Sequence, residues 1–244
     1  MSCTLRSRHI LRRFKSTLQD IQTSREYLEY GRLNQKDVTS TTFRGTLYEL
    51  YAKEYLEHRL HCYEMTRVGG AMDNGIDIFG KWNLGFYWNR LTDEKKSKKY
   101  PQKTVLSASK QYNEATGGKV PKQIDLENQI QVFVQCKNYK RRIQASTIRE
   151  LAGIYEYHAK TALDRMRTFF FLLSPFALTK QAQRQFDISS VPLVHFKVSS
   201  TKVEEADQNN QAVDTLDEPP TIYMNPKARS LLQGLEQGIV KNQF

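Results

Sequence analysis

The longest regular pattern of apolar positions runs over residues 43–58 and has helical spacing. Gly45, Glu49, Ala52 and Leu56 fall on one line of it, and Leu47, Tyr51 and Tyr55 on another. Upstream, residues 24–40 predict a helix that fades into a polar run ending at Thr42. Residues 62–68 predict a strand, and the Gly, Asp and Asn residues of 69–75 predict a turn that tolerates positive φ. The chain re-enters a strand at 76–78, with Ile76 and Ile78 toward the core and Asp77 facing away. In residues 130–137 the alternation puts Val132, Val134 and Cys136 on one face and Phe133, Gln135 and Lys137 on the other.

Between these strands the signals are mixed. Trp82, Phe86, Tyr87 and Trp88 read as a continued strand or a hairpin, and Thr116, Gly117 and Gly118 mark a loop. Beyond Lys137, the residues Thr147 and Glu150 have capping-box spacing for a helix start, with Ile148, Leu151, Ala152, Tyr155, Ala159 and Ala162 as its apolar face. The wholly apolar run at 168–173 predicts a buried strand stopped by Ser174 and Pro175. A helix at about 178–186 and a strand at 192–196 follow. This order predicts an α/β domain, a mixed central sheet flanked by helices, over residues 43–198 with an insertion at about 81–129. Residues 199–220 carry Glu204, Glu205, Asp207, Asp214, Asp217 and Glu218 without a base and predict an acidic linker. Asn225 and Pro226 then cap a short helix ending near Gly238, which completes a tail over 199–244.

Charge changes the picture at both ends of the domain. The chain of 244 residues has a formal net charge of +11, which makes a polyanion the first partner to consider. Residues 1–19 hold Arg6, Arg8, Arg12, Arg13 and Lys15, several hydroxyl side chains and no acid. That is the composition of a mitochondrial presequence, the alternative being a basic arm, so residues 1–42 read as leader and lead-in. No run of about 18 apolar residues predicts a membrane span. Cys3, Cys62 and Cys136 are too scattered for a disulfide framework. His58, His61 and Cys62 lack a second ligand pair at zinc spacing and read as polar residues at a helix end. The cluster Lys95, Lys96, Lys98 and Lys99 reads either as a solvated loop or, with Lys140, Arg141 and Arg142, as a contact to nucleic-acid phosphate.

The chemistry sits where two strands carry polar residues that packing does not require. Gln135 and Lys137 leave the same face of one strand, and Asp77 stands alone between two isoleucines on another. Glu49 lies on the small-residue line of the first long helix, as a site acid or as an ion-pair partner for Lys53. Such a set suits metal-dependent phosphodiester cleavage. The ordered pieces Glu49, Gly75-Ile76-Asp77-Ile78, Val134-Gln135-Cys136-Lys137 and Arg149-Glu150-Leu151-Ala152-Gly153 resemble the restriction endonuclease-like superfamily, in particular its Mrr-type branch, which carries Gln in place of the second metal-side acid. The whole chain is similar to a fungal mitochondrial family needed for respiratory growth. The resemblance implies that Asp77 is the metal carboxylate, Gln135 the second metal-side residue, Lys137 the catalytic lysine and Glu49 the helix-borne acid. Asp77, the Gln135 amide oxygen and the Cys136 carbonyl would hold Mg²⁺ or Mn²⁺, which takes oxygen ligands and keeps several waters. Two functions follow as expectations: a mitochondrial metal-dependent nuclease acting on DNA, or a non-catalytic nucleic-acid-binding factor of mitochondrial DNA maintenance or gene expression on the same fold.

Overall fold

The computed structural model describes residues 21–68, 75–110, 124–199 and 220–241. Helix α1 (Ser24–Leu33) opens on a capping box in which Thr23 and Glu26 satisfy each other's backbone N–H groups. It packs through Tyr27 against the first turns of α2 (Thr41–Leu60), where Ile21, Phe43, Leu47 and Leu50 form a small separate cluster. The N-terminus of α2 is capped by the Ser40 side chain, and His61 in the left-handed region ends the helix. The expected bounds of α2 fall within two residues of the observed ones, whereas α1, expected to reach about residue 40, ends at Leu33, where Asn34 caps it. The leader, the 69–74 turn, the Thr116–Gly118 loop and most of the acidic linker lie outside the described residues.

A six-stranded sheet follows: β1 (Cys62–Arg67), β2 (Ile78–Trp82), β3 (Gln131–Cys136), β4 (Thr168–Ser174), β5 (Leu193–Lys197) and β6 (Thr221–Met224), in that spatial order. The central strands β3, β4 and β5 are parallel, and the outer pairings are antiparallel. The expected mixed α/β architecture is therefore present. Every residue of β4 is buried because the strand faces two cores. Phe169, Phe171 and Leu173 join Tyr48, Ala52, Leu56 and Leu60 of α2 on one side. Phe170 and Leu172 join α6 (Ala145–His158) and α8 (Lys180–Ile188) on the other, through Ile148, Leu151, Tyr155, Ala182 and Phe186.

Several local expectations are corrected. Phe86, Tyr87 and Trp88 form a short helix, α3 (Gly85–Asn89), because Leu84 and Gly85 bond back to Leu126 O and no strand partner is offered. The lysine run begins on a second short helix, α4 (Asp93–Ser97), capped by Thr92, and α5 (Val105–Lys110) follows it. Helix α6 starts at Ala145, not at Thr147, since the bridge between Ile143 and Leu178 holds the chain just before it. It stops at His158, and Ala162 belongs instead to α7 (Ala162–Arg167), which has its own capping box from Thr161 and Asp164. His61 stacks on Phe86 with ring centroids 3.4 Å apart, which gives it a packing role.

The C-terminal segment also contributes more than the sequence suggests. Strand β6 closes the sheet beyond β5, and Asn225 caps α9 (Pro226–Leu231) while its amide bonds Phe186 O and Val191 O. Leu231, Leu232, Leu235 and, from α10 (Glu236–Lys241), Ile239 are buried in the main core.

Candidate active site

Asp77 sits one residue before β2 with its backbone fixed on both sides: its N–H donates to Val134 O at 2.9 Å and its carbonyl accepts from Val68 N at 2.8 Å. The side chain takes the face opposite Ile78, as the alternation predicts, and shares it with Gln135, its cross-strand neighbour. It is buried, and Oδ2 accepts from the Gln135 amide Nε2 at 2.8 Å and from Cys136 N at 2.6 Å. It is buried because that face too is covered, by α6 and α8, and its carboxylate reaches the end of β3 to accept the Cys136 N–H.

The Gln135 amide is equally buried, at 5 % exposure, and only one of its ends is satisfied. Donation to a carboxylate fixes which end is nitrogen, since the opposite flip would set an amide oxygen against Asp77 Oδ2. Oε1 is thereby left buried without a hydrogen-bond partner. A buried acceptor left unmade costs roughly 1–3 kcal/mol, so this atom is a place for a water or a cation to enter. Gly75 stands beside it at φ +79°, and a Cβ there would run into the Ile154 side chain. Glycine is thus required by both backbone and space.

Charged groups converge on the same point. Glu49 Oε2 pairs with Arg67 Nη1 of β1 at 3.2 Å, and Lys137 Nζ lies 3.7 Å from Glu150 Oε1 of α6. Burial pushes the Cys136 thiol well above its ordinary pKa, Asp77 and Glu49 push it further, and Lys137 opposes them. One side chain senses all three charges. The structure joins Asp77, Gln135 and Cys136 by hydrogen bonds at the C-terminal end of β3, with Lys137 next along the chain and Glu49 near enough to act on the Cys136 thiol. Of the ion-pair partners, Arg67 carries no signal in the sequence that marks it as a neighbour of the site, and Glu150 enters only as part of the Arg149–Gly153 piece, with nothing to pair it with Lys137. They are found only once β1 and α6 are packed on either side.

The donor set suits a hard cation: a carboxylate and an unpaired amide oxygen lie side by side, and both are oxygen ligands of the kind Mg²⁺ takes. Among the described residues there is no group of three or more His, Cys, Asp or Glu that would hold a metal as a complete cage. Lys140, Arg141 and Arg142 are exposed on the loop that continues from Lys137. The other basic cluster lies in a separate segment of the chain. Lys95, Lys96, Lys98 and Lys99 follow β2 as it leaves at Trp82, the end paired with the start of β3. Tyr100 holds that stretch through its OH to Lys95 O, and its ring lies against Gly234.

These elements define the class: a mixed α/β protein with a buried carboxylate–amide pair and a lysine at the end of a central parallel strand. The model of the family described as "Required for respiratory growth protein 7" matches residues 40–232, and the chain belongs to that family. Among proteins named "Required for respiratory growth protein 7, mitochondrial", it is 29% identical over 171 residues to that of Kluyveromyces lactis, covering 70% of each chain. It is 27% identical over 213 residues to that of Zygosaccharomyces rouxii, with 85% of this chain and 84% of the relative aligned. For Saccharomyces cerevisiae the figures are 28% over 212 residues and 84% of each chain. No solved structure matches the chain. The protein is mitochondrial, in a family named for respiratory growth. No helix among the described residues is long and apolar enough to cross a membrane.

Proposed function

We propose that this protein serves respiratory growth as a metal-dependent phosphodiesterase acting on nucleic acid, DNA in the first place, in line with the resemblance of its motif strands to restriction endonuclease-like proteins. The observation that carries the reading is the unpaired, buried Gln135 Oε1 next to Asp77, with Lys137 two residues further along the same chain. Asp77, Gln135 Oε1 and the Cys136 carbonyl would hold Mg²⁺ or Mn²⁺, which when bound polarises a phosphoryl oxygen and lowers the pKa of water. The chain's own residues do the rest. Lys137 offsets negative charge that grows on the phosphoryl oxygens, an effect strengthened by its low exposure of 14%. Glu49 accepts a proton from, and so orients, the attacking water. Lys140, Arg141 and Arg142 hold flanking phosphates.

A second reading, a non-catalytic nucleic-acid-binding factor, is favoured by one feature: Asp77 Oδ2 already accepts two hydrogen bonds, as a purely structural carboxylate would. The two readings separate in a cleavage assay of the leader-free protein on duplex, branched and single-stranded DNA with Mg²⁺ or Mn²⁺. Cleavage by the wild type, lost in Asp77→Asn with DNA binding kept and lost in Lys137→Ala with binding slightly weakened, supports the enzyme. Binding without cleavage under either metal makes the non-catalytic reading the right one. Cleavage that survives in the double variant belongs to a contaminant.

A further inference from the structure

Two loops leave the same end of the sheet as the candidate site. Residues 138–142 follow β3 and carry Tyr139, Lys140, Arg141 and Arg142, and residues 175–179 follow β4 and carry Phe176. Backbone hydrogen bonds tie the two segments together on both sides. Lys137 N donates to Leu173 O at 2.9 Å, and further out Ile143 N donates to Ala177 O at 3.2 Å and Thr179 N to Ile143 O at 3.0 Å. Residues 174–176, which lie between those ties, span at most roughly 11 Å, so the loops that carry Tyr139 and Phe176 leave the sheet side by side.

Both rings are exposed, Tyr139 at 43% and Phe176 at 41%, where most aromatic side chains of this protein are packed in its cores. Their backbones are nevertheless well held. The buried Ser174 Oγ donates to Phe176 O at 2.7 Å and lies 2.8 Å from Nε2 of the buried His195, so Nε2–H is the donor to Ser174. Burial pushes His195 down to about 4, and this support is therefore neutral at ordinary pH. Asn138 Nδ2 donates to Arg44 O at 3.1 Å and anchors the first loop to α2. The Arg141 guanidinium lies 5.9 Å from the Tyr139 ring centroid. Among the described residues Lys140, Arg141 and Arg142 form no ion pair with an acid.

Exposed rings on a supported backbone stack on bases, and the free cations beside them match phosphates. In an intact duplex the base faces are covered by their neighbours, so rings at a loop rim meet bases only where a strand is unpaired. We infer that Tyr139 and Phe176 form a base-stacking platform for single-stranded nucleic acid, with Lys140, Arg141 and Arg142 on its phosphates, which leads an unpaired strand toward Asp77 and Lys137. The inference deepens the phosphodiesterase reading, and rests on it, by naming the form of the substrate.

The test uses the full chain in EDTA, so that cleavage plays no part, and labelled homopolymer strands of about 20 nucleotides, DNA and RNA, beside the matching DNA duplex. Fluorescence anisotropy should show the wild type binding one or both single strands at least about fivefold more tightly than the duplex. Tyr139→Ala and Phe176→Ala should each weaken single-strand binding about fivefold or more and leave the duplex within about twofold. A 2-aminopurine placed in the strand should be quenched by the wild type and by Tyr139→Phe, and not by Tyr139→Ala. Equal affinity of the wild type for strand and duplex overturns the inference, as does equal loss on both in the alanine variants, or quenching that persists without the rings. Should the wild type prefer single strands yet cleave nothing with metal, the platform stands and the phosphodiesterase reading falls. Duplex cleavage unaffected by Tyr139→Ala, with no strand preference, overturns the platform and leaves the phosphodiesterase reading in place.

Discussion

At the residue scale, the neutral side chain at position 135 sets the electrostatics of the site. Its amide donates to Asp77 and lets that carboxylate stay buried with a single negative charge. Gln135→Glu removes the donor and sets a second carboxylate beside the first, and two such groups cannot both ionise without cost. The variant should lose about 1–3 kcal/mol of stability at neutral pH without divalent metal. Two conditions should restore it: Mg²⁺ or Mn²⁺, which neutralises the pair, and mildly acidic pH, where the introduced carboxyl takes a proton and can donate to Asp77 again. The sign follows from a shared site raising the carboxyl pKa in the folded state, so destabilisation grows as pH rises through that value. Thermal melts across pH, with and without metal, check this. A melting temperature that neither metal nor acid raises relative to wild type removes Gln135 from any metal role.

At the scale of elements, the domain does not end where the hydrophobic pattern fades after residue 198. Strand β6 pairs with β5, and α9 and α10 bury Ala228, Leu231, Leu232, Leu235 and Ile239 in the same core as α2. Full burial of a large aliphatic side chain contributes roughly 1.5–3 kcal/mol, so four of them exceed much of a domain's net stability of about 5–15 kcal/mol. A chain truncated after Val198 should therefore not fold cooperatively, whereas one truncated before Ile21 should melt close to the full chain. Circular dichroism melts of the two truncations decide the matter; a cooperative transition in the first would show that the C-terminal elements are only draped on the sheet. Asn225 is the residue that makes this docking specific, because its one side chain caps α9 through Ala228 N and also accepts from Leu193 N.

At the scale of the whole molecule, the +11 charge is unevenly spread along the chain, with five bases and no acid in residues 1–19 and two further basic groups at 95–99 and 140–142. Lys140, Arg141 and Arg142 follow directly on Lys137 of the candidate site, and the lysines of the 95–99 run lie in a separate segment that follows β2. If these three loop cations hold phosphates, log affinity for DNA should fall linearly with log salt, and replacing them with Ala should reduce the slope by about 0.7–0.9 for each phosphate no longer neutralised. Replacing Lys95, Lys96, Lys98 and Lys99 should flatten the slope further if that run also contacts phosphate. Titrations at several salt concentrations measure this. A slope unchanged by the four replacements leaves the 95–99 run as a solvated segment.

What the sequence determined by itself was periodic or local. The helix over 43–58, the alternation in 130–137, the buried run at 168–173 and the Asn225–Pro226 cap were legible because each is written in neighbouring residues. The residue types of the candidate site were legible for the same reason: a lone Asp between isoleucines and a Gln and Lys on one strand face stand out against packing. What only the tertiary structure decided was non-local. Asp77 keeps the face that alternation gives it, but its burial there and the N–H it accepts from β3, fifty-nine positions along the chain, come from packing. Strand β6 exists because β5 offers it an edge, and Phe86 to Trp88 coil into a helix because Leu126 accepts their lead-in bonds. Glu49 and Lys137 acquire the partners Arg67 and Glu150 only when separate elements meet. The physical reason is common to all of these: a side chain's spacing along the chain records which face it takes, whereas the group that satisfies its polar atoms is chosen by packing between distant segments.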